Sequence, residues 1–412
     1  MQNTYNILIT TVFGLESVVK KECENLGFKD LNVSNGKIEF IGNQEDIVKA
    51  NLWLRSAERV YIKLLEFKAL SFEDIYSNVK SFNWEDYLSE HGKFLVSGNT
   101  YESKLKSVSD NQAITKRAII DRLQTKYNRF EFLEKEEDYK IKISIHKDLA
   151  TVTLDTSGSG LHKRGYRLEQ VDAPIKESLA AALIQLSNWN GKRDFVDLFC
   201  GSGTIPIEAC MIAKNVAPGI SREFDFMNWR FFDKNIYKKE KINAFNQIKD
   251  IDIKITGFDI DYKAIQIAKN NAINAGLEED IQFVVKDVAK VGLQNNFGVI
   301  VSNPPYGERI GEKEELEKIY EALRLKLREL TTWSYYFISS DKEFERKINI
   351  KADKKRKLFN GRIEVDYYQF EGPEPLNILW GINEIYKDRK FYKISWIYKF
   401  YVFRLYGGSR KN

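Results

Sequence analysis

Apolar residues recur with two different periods along this chain, and the switch between them marks out its elements. "YNILITTV" (5–12) reads as a strand, whereas "LESVVKKECENLGF" places Leu15, Val18, Val19 and Cys23 on one face of a helix. "NVSNGKIEFIG" then predicts a hairpin around Asn35-Gly36, a pair that favours a type I′ turn. These elements define a small α+β segment over residues 1–60. From 61 to 165 the elements lengthen: strand "ERVYIKLLEFKAL", helix "SFEDIYSNVKSF", strand "KFLVSGNTY", helix "NQAITKRAIIDRLQTKY" and one long strand, "YKIKISIHKDLATVTLDTS". Three glycines in "SGSGLHKRGYR" (157–167) interrupt the alternation, which predicts a linker and a domain boundary near residue 165.

Over 166–385 strands and helices alternate in the manner that builds a parallel sheet. A helix over "DAPIKESLAAALIQLSNW" precedes strand "DFVDLF" (194–199). Strand "KITGFDI", helix "YKAIQIAKNNAINAG" and strands "IQFVVKD", "FGVIVS" and "WSYYFISS" follow. "KKRKLF" and "RIEVDYYQF" flank Asn360-Gly361, which predicts an antiparallel hairpin closing a mostly parallel sheet. The fold class is therefore α/β, with an α+β region followed by a Rossmann-like sheet.

Composition narrows the function classes. No stretch approaches the roughly 20 consecutive apolar residues of a membrane span, and the N-terminus lacks the basic region and cleavage site of a secretory signal. Cytoplasm is the expected location. Cys23, Cys200 and Cys210 are too scattered for a disulfide framework, and His91, His146 and His162 lack metal-ligand spacing, so no metal is expected. The net charge of +5 is concentrated in residues 386–412, whose eight Lys/Arg and one Asp give +7 and leave −2 for the rest. Bulk charge thus gives the folded body no warrant for RNA binding. The aromatic, basic tail itself fits an RNA-stacking strand, an extra sheet strand or gene-end variation equally well.

Chemistry concentrates where strands end. "VDLFCGSGT" places Asp197 at a strand end and Gly201 and Gly203 in the turn that leads to a helix, where backbone can approach a ligand closely. Pro206 stands where a dinucleotide fingerprint would have its third glycine, and no lysine follows as in a phosphate-binding loop. A cofactor without phosphate suits such a turn, and S-adenosylmethionine is one. Asp259, ending the second strand, is placed to accept ribose hydroxyls, and Asp287, ending the third, to meet an adenine amine. Candidate cofactor contacts are therefore Asp197, Phe199, Cys200, Gly201, Ser202, Gly203, Thr204, Asp259, Ile260, Asp287 and Val288. Cys200 reads as a packing residue of the turn, since a nucleophilic role would call for a second cysteine near a catalytic loop.

The fourth strand ends on "VSNPPYGERIG". An exocyclic nucleobase amine is a poor nucleophile because its lone pair is delocalised into the ring. The Asn303 side-chain carbonyl and the Pro304 backbone carbonyl, aimed at its hydrogens, would localise that pair. Pro304 and Pro305 fix the backbone in advance, and Tyr306 offers a ring on which a flipped base can stack. These four residues are the candidate catalytic loop.

Together, "VDLFCGSGT", "GFDID", "VSNPPYGERIG" and the upstream "DAPIKESLAAALI" resemble the class I methyltransferases fused to a THUMP domain, in particular the RNA guanine-N2 group similar to the RlmL half of a bacterial large-subunit rRNA methyltransferase. The resemblance covers roughly residues 1–375. It implies a ferredoxin-like segment over 1–60, an RNA-holding THUMP domain over 61–165 and a methyltransferase domain over 166–385. The tail, 386–412, departs from the family's usual ending. The resemblance also implies methyl transfer from S-adenosylmethionine to guanine N2 in structured RNA, ribosomal RNA first and tRNA second, with Lys163, Arg164 and Arg167 of the linker touching phosphates. A DNA adenine methyltransferase shares the Asn-Pro-Pro-Tyr logic but would need a base-reading domain that is not visible. A catalytically silent RNA-binding scaffold is opposed by the intact turn and loop.

Overall fold

Two seven-stranded sheets organise the computed structural model, whose described residues are 4–90, 92–128, 138–169, 174–293, 297–306 and 313–373. The basic tail and the "GERIG" end of the catalytic segment lie outside them. Among the described residues no helix is long and apolar enough to cross a membrane.

The first sheet contains β1 (Tyr5–Thr11), β2 (Asn32–Ser34), β3 (Lys37–Gly42), β4 (Ala57–Lys68), β5 (Lys93–Tyr101), β6 (Asp138–His146) and β7 (Leu149–Asp155), in the order β2-β3-β1-β4-β7-β6-β5. Helices α1 (Glu16–Asn25), α2 (Gln44–Trp53), α3 (Phe72–Ser81) and α4 (Val108–Tyr127) complete this region. Alternate strand residues such as Ile7, Ile9, Val60, Ile62, Ile141 and Ile143 enter one core. β4 pairs with β1 on one side and β7 on the other, so the ferredoxin-like strands and those that follow share one continuous sheet.

The second sheet is the expected mostly parallel one. In chain order it comprises α5 (Glu177–Leu186), β8 (Phe195–Asp197), α6 (Thr204–Ala213), α7 (Lys234–Asn246), β9 (Ile255–Asp259), α8 (Tyr262–Ala275) and β10 (Ile281–Val285). Then come β11 (Val299–Ser302), α9 (Lys313–Glu329), β12 (Ser334–Ser339), α10 (Phe344–Ile348), β13 (Lys354–Asn360) and β14 (Ile363–Phe370). The strand order is β10-β9-β8-β11-β12-β14-β13, with β14 antiparallel to both its neighbours.

Several local expectations need correction. The long strand expected over 139–157 is a hairpin, β6 and β7, turning on Lys147 and Asp148, which both have positive φ (51° and 63°) as a type I′ turn requires. At Asn35-Gly36 only Gly36 has positive φ (70°), so that hairpin lacks the type I′ geometry. The closing hairpin turns on Gly361-Arg362, one residue later than expected, because Asn360 still pairs with Ile363.

The segment expected to be a linker is instead a packed strap. Thr156, Ser157, Leu161, Arg164 and Tyr166 are buried along it. Arg222 grips it, donating to the carbonyls of Gly160 (2.8 Å) and Ser159 (2.7 Å) while lying over the Phe224 ring at 5.0 Å. Downstream, Phe224, Phe226, Trp229, Phe232 and Tyr237 lie between α6 and β9 in the chain, yet they pack into the core of the first sheet. Glu22 of α1 reinforces the junction by accepting from Arg55 N (2.9 Å), Ser56 Oγ (2.7 Å) and Gln185 Nε2 of α5 (2.5 Å).

Candidate active site

The second sheet reverses its winding between β8 and β11, so the crevice at the carboxyl ends of these neighbours is the place where an open α/β sheet takes its ligand. β8 also pairs with β9, and β9 with β10. Asp197, Asp259 and Asp287 therefore follow one another across adjacent strand ends, with the glycine turn and Asn303 beside them.

The turn is held from both sides. Leu198 N donates to Ser302 Oγ at 2.8 Å, and Gly201 N to Asp259 Oδ2 at 2.9 Å. Gly203 has φ 82°, and a Cβ there would stand 2.9 Å from Ala268 Cβ and 3.0 Å from the Phe283 ring. Glycine is thus required both by conformation and by packing. Asn271 of α8, wholly buried, donates to Ser202 O (3.0 Å) and to Glu169 O at the end of the strap (3.3 Å).

Buried side-chain atoms at this edge without a hydrogen-bond partner among the described residues include Asp197 Oδ2, Thr204 Oγ1, Asn271 Oδ1 and Asn303 Oδ1. Asp197 accepts from Phe199 N at 3.0 Å and from the Ser302 side chain, and meets no cation among the described residues. Burial pushes its carboxyl up to about 7, the bonds from the Phe199 amide and the Ser302 side chain pull it back, and the Asp259 charge adds to the rise. Asp259, half-buried, also accepts from Asp261 N (3.0 Å). Asp287 accepts from Ala289 N (2.9 Å), which leaves it a capping residue with further acceptor capacity. Ile260 is 70% exposed at the end of β9, an apolar surface beside these carboxylates, whereas Val288 is buried. Cys200 is buried and its thiol is held well above its usual range by burial, consistent with packing and not with nucleophilic attack.

On the neighbouring strand end, Asn303 is half-buried, Pro304 buried, Pro305 exposed and Tyr306 half-buried. Tyr320 of α9 donates its hydroxyl to Pro305 O at 3.2 Å, tying the loop to the helix behind it. Ser302, Asn271 and Tyr320 are supporting residues absent from the sequence-based set. Of them only Asn271 leaves a sequence signal, a polar residue on the apolar stripe of α8.

The proposed linker contacts fare differently. Arg164 is 2% exposed, so it is withdrawn as a phosphate contact: its guanidinium binds Glu208 Oε1 of α6 (3.3 Å), Leu161 O (2.6 Å) and Arg55 O. Tyr166 adds its hydroxyl to the same Glu208 oxygen at 3.1 Å. Arg167 is largely engaged as well, with Glu177 Oε2 and Ile175 O each at 2.8 Å. Only Lys163 is exposed.

A doubly wound sheet with a glycine turn, acids on successive strand ends and Asn-Pro-Pro-Tyr at the switch point defines the class I methyltransferases. Within that class the chain belongs to the RMKL-like methyltransferase family, whose domain model matches residues 164–369. The RlmL ferredoxin-like domain matches residues 6–61 and the THUMP domain residues 69–155. The chain is 45% identical to the "Putative RNA methyltransferase YpsC" of Bacillus subtilis (strain 168), over 89% of this chain and 96% of that one. It is 35% identical to the ribosomal RNA large subunit methyltransferase K/L of Vibrio parahaemolyticus serotype O3:K6 (strain RIMD 2210633), over 86% of this chain but 52% of that one, so it spans about half the length of such relatives. The crystal structure of SMU.472 complexed with SAH superposes with a TM-score of 0.87 at 42% identity, covering 91% of this chain and all of that one.

Proposed function

We propose that this chain methylates the exocyclic N2 amine of a guanine in large-subunit ribosomal RNA, with S-adenosylmethionine as donor. The observation that carries this reading is the pair of unsatisfied buried acceptors on adjacent strand ends, Asp197 Oδ2 and Asn303 Oδ1. The first suits the ammonium of the donor and the second an amine of the acceptor base. A buried polar atom without a partner costs about 1–3 kcal/mol, and two on adjacent strand ends at the sheet's ligand crevice suit groups kept for ligands.

The residues present fit the cofactor. Asp197 would hold its ammonium, Asp259 its ribose hydroxyls and Asp287 its adenine amine, while Phe199 to Thr204 line the turn and Ile260 and Val288 supply apolar surface. When bound, the group supplies an electrophilic methyl. The chain's own residues prepare the amine. Asn303 Oδ1 and the Pro304 carbonyl accept its two hydrogens, which localises the nitrogen lone pair, and the rigid prolines hold both acceptors before substrate arrives. Tyr306 holds the flipped base by its ring face. The amine becomes acidic as it reacts, so its proton leaves to water without a strong base.

The RlmL-type ferredoxin match and the naming of the K/L relatives favour ribosomal RNA; tRNA is the alternative substrate, and Lys163 is the strap's remaining candidate phosphate contact. Purified chain, labelled S-adenosylmethionine and deproteinised large-subunit rRNA, tRNA or DNA supply the test, with nucleoside analysis of the product. N2-methylguanosine in the rRNA is expected. N6-methyladenine, or label in tRNA or DNA alone, overturns the assignment.

A further inference from the structure

The carbonyl of Ser202, in the glycine turn, is one that the following helix cannot serve. The residue four positions on is Pro206, which has no N–H, so α6 begins with the bond from Ile207 N to Gly203 O (3.0 Å) and leaves Ser202 O outside its ladder. Gly201 and Gly203 on either side have positive φ (50° and 82°) and backbones with much conformational freedom to lose. Such a turn keeps one geometry by being held from outside.

Asn271 supplies the hold. It is wholly buried on the same helix as the buried Ile265, Ala268 and Ala272, and its amide nitrogen donates to two separate chain segments, to Ser202 O at 3.0 Å and to Glu169 O at 3.3 Å. Its own Oδ1 has no hydrogen-bond partner among the described residues. A leucine of similar size would avoid that unpaired oxygen, so packing of the helix alone does not call for an amide here. Asn274, three residues on and therefore on the same side of α8, donates to Tyr166 O at 3.2 Å. The end of the strap is thus fastened to α8 at two carbonyls. Its beginning is fastened to the first sheet, where Arg59 of β4 donates to Gly158 O at 2.6 Å and Leu161 N donates to Glu58 O at 2.8 Å.

We infer that Asn271 is a positioning residue for the cofactor, and that by bridging Ser202 and Glu169 it couples S-adenosylmethionine binding to the strap and, through the strap, to the first sheet. The inference rests on the reading of this turn as the cofactor's seat and deepens it. The contacts of Asn271 are protein carbonyls, so it acts by fixing where Ser202 and its flanking glycines stand. Coupling between two sites is reciprocal: a cofactor that tightens the turn also tightens the strap.

The test compares the full wild-type chain with Asn271→Leu, by calorimetric titration of S-adenosylmethionine and by backbone hydrogen exchange with and without it. The leucine should leave the urea midpoint at or above that of wild type, yet weaken S-adenosylmethionine binding about tenfold, the size of a lost buried hydrogen bond. In wild type the cofactor should slow exchange both in the turn, residues 197–206, and in the strap, residues 157–169. In Asn271→Leu the strap should no longer respond. Wild-type affinity in the variant would overturn the role of Asn271. A wild-type strap whose exchange ignores the cofactor, while the turn is protected, would overturn the coupling and leave the seat standing. That comparison needs no variant, so it decides the matter even where the leucine prevents folding. A cofactor that protects neither stretch would overturn the seat, and the coupling with it.

Discussion

Asp197 and Glu208 are both buried carboxylates of one turn-and-helix unit, and the protein treats them in opposite ways. Glu208 is met on Oε1 by Arg164 and Tyr166, so its charge is answered from within although Oε2 has no hydrogen-bond partner among the described residues. Asp197 meets no cation among the described residues: its donors are the Phe199 amide and the Ser302 side chain, and burial holds its carboxyl up to about 7. The first arrangement belongs to a joint between two sheets. On the proposed function the second serves a binding site, where an acid left without a cation in the protein gains its partner from the ligand.

The largest effect that would sharpen this comparison is on stability. Arg164→Met strands Glu208 as a buried carboxylate without its cation and should cost about 3–5 kcal/mol in denaturant unfolding. The double variant Arg164→Met with Glu208→Met should recover much of that loss, since an apolar pair of similar volume can replace a buried ion pair. If the single variant unfolds like wild type, the joint does not depend on this pair.

Asp197→Asn is expected to do the reverse. It should stabilise the fold at pH 8, where wild type buries a carboxylate that ionises more readily in the unfolded chain, while weakening S-adenosylmethionine binding by about 1–3 kcal/mol through loss of a charge-assisted bond. The sign of the pH dependence follows from the raised carboxyl. Below about pH 7 Asp197 is neutral in the free protein and must lose a proton to meet an ammonium; above it the carboxylate is ready. Cofactor affinity should therefore climb about tenfold from pH 6 to pH 8 in wild type and stay flat in Asp197→Asn. A flat wild-type profile by calorimetry would remove Asp197 from contact with a cation.

The smallest effect concerns the loop. Tyr306→Ala should weaken RNA capture by about 1–3 kcal/mol, whereas Tyr306→Phe should be mild, because the ring face does the holding. An equal loss in both, measured as RNA affinity, would assign the function to the hydroxyl.

Much of the second sheet was legible in advance because its strands are short apolar runs that stop at glycine, proline or acidic residues, and the same stops mark the site. The first sheet was read less well. Lys147-Asp148 carries no glycine, so nothing local distinguished a hairpin from one long strand, and pairing along β6 and β7 had to impose the left-handed turn. The aromatic stretch from Phe224 to Tyr237 has no period of either kind and acquires meaning only by filling a core on the other sheet. Glycines at 158, 160 and 165 suggested a loose linker because sequence shows flexibility of backbone but not the arginine, 57 residues after Gly165, that grips it. The fate of Arg164 was equally hidden, since its partner lies 44 residues away.

Single-turnover methylation by Asn303→Ala, at saturating RNA and cofactor, tests the chemistry most directly. Removing one acceptor that acts mainly as the amine rehybridises should slow the step about 10²–10³-fold, by analogy with deleting a positioned donor from an oxyanion site, while S-adenosylmethionine affinity stays at the wild-type value. A wild-type rate in that variant would contradict the role of Asn303 and leave the loop a structural turn.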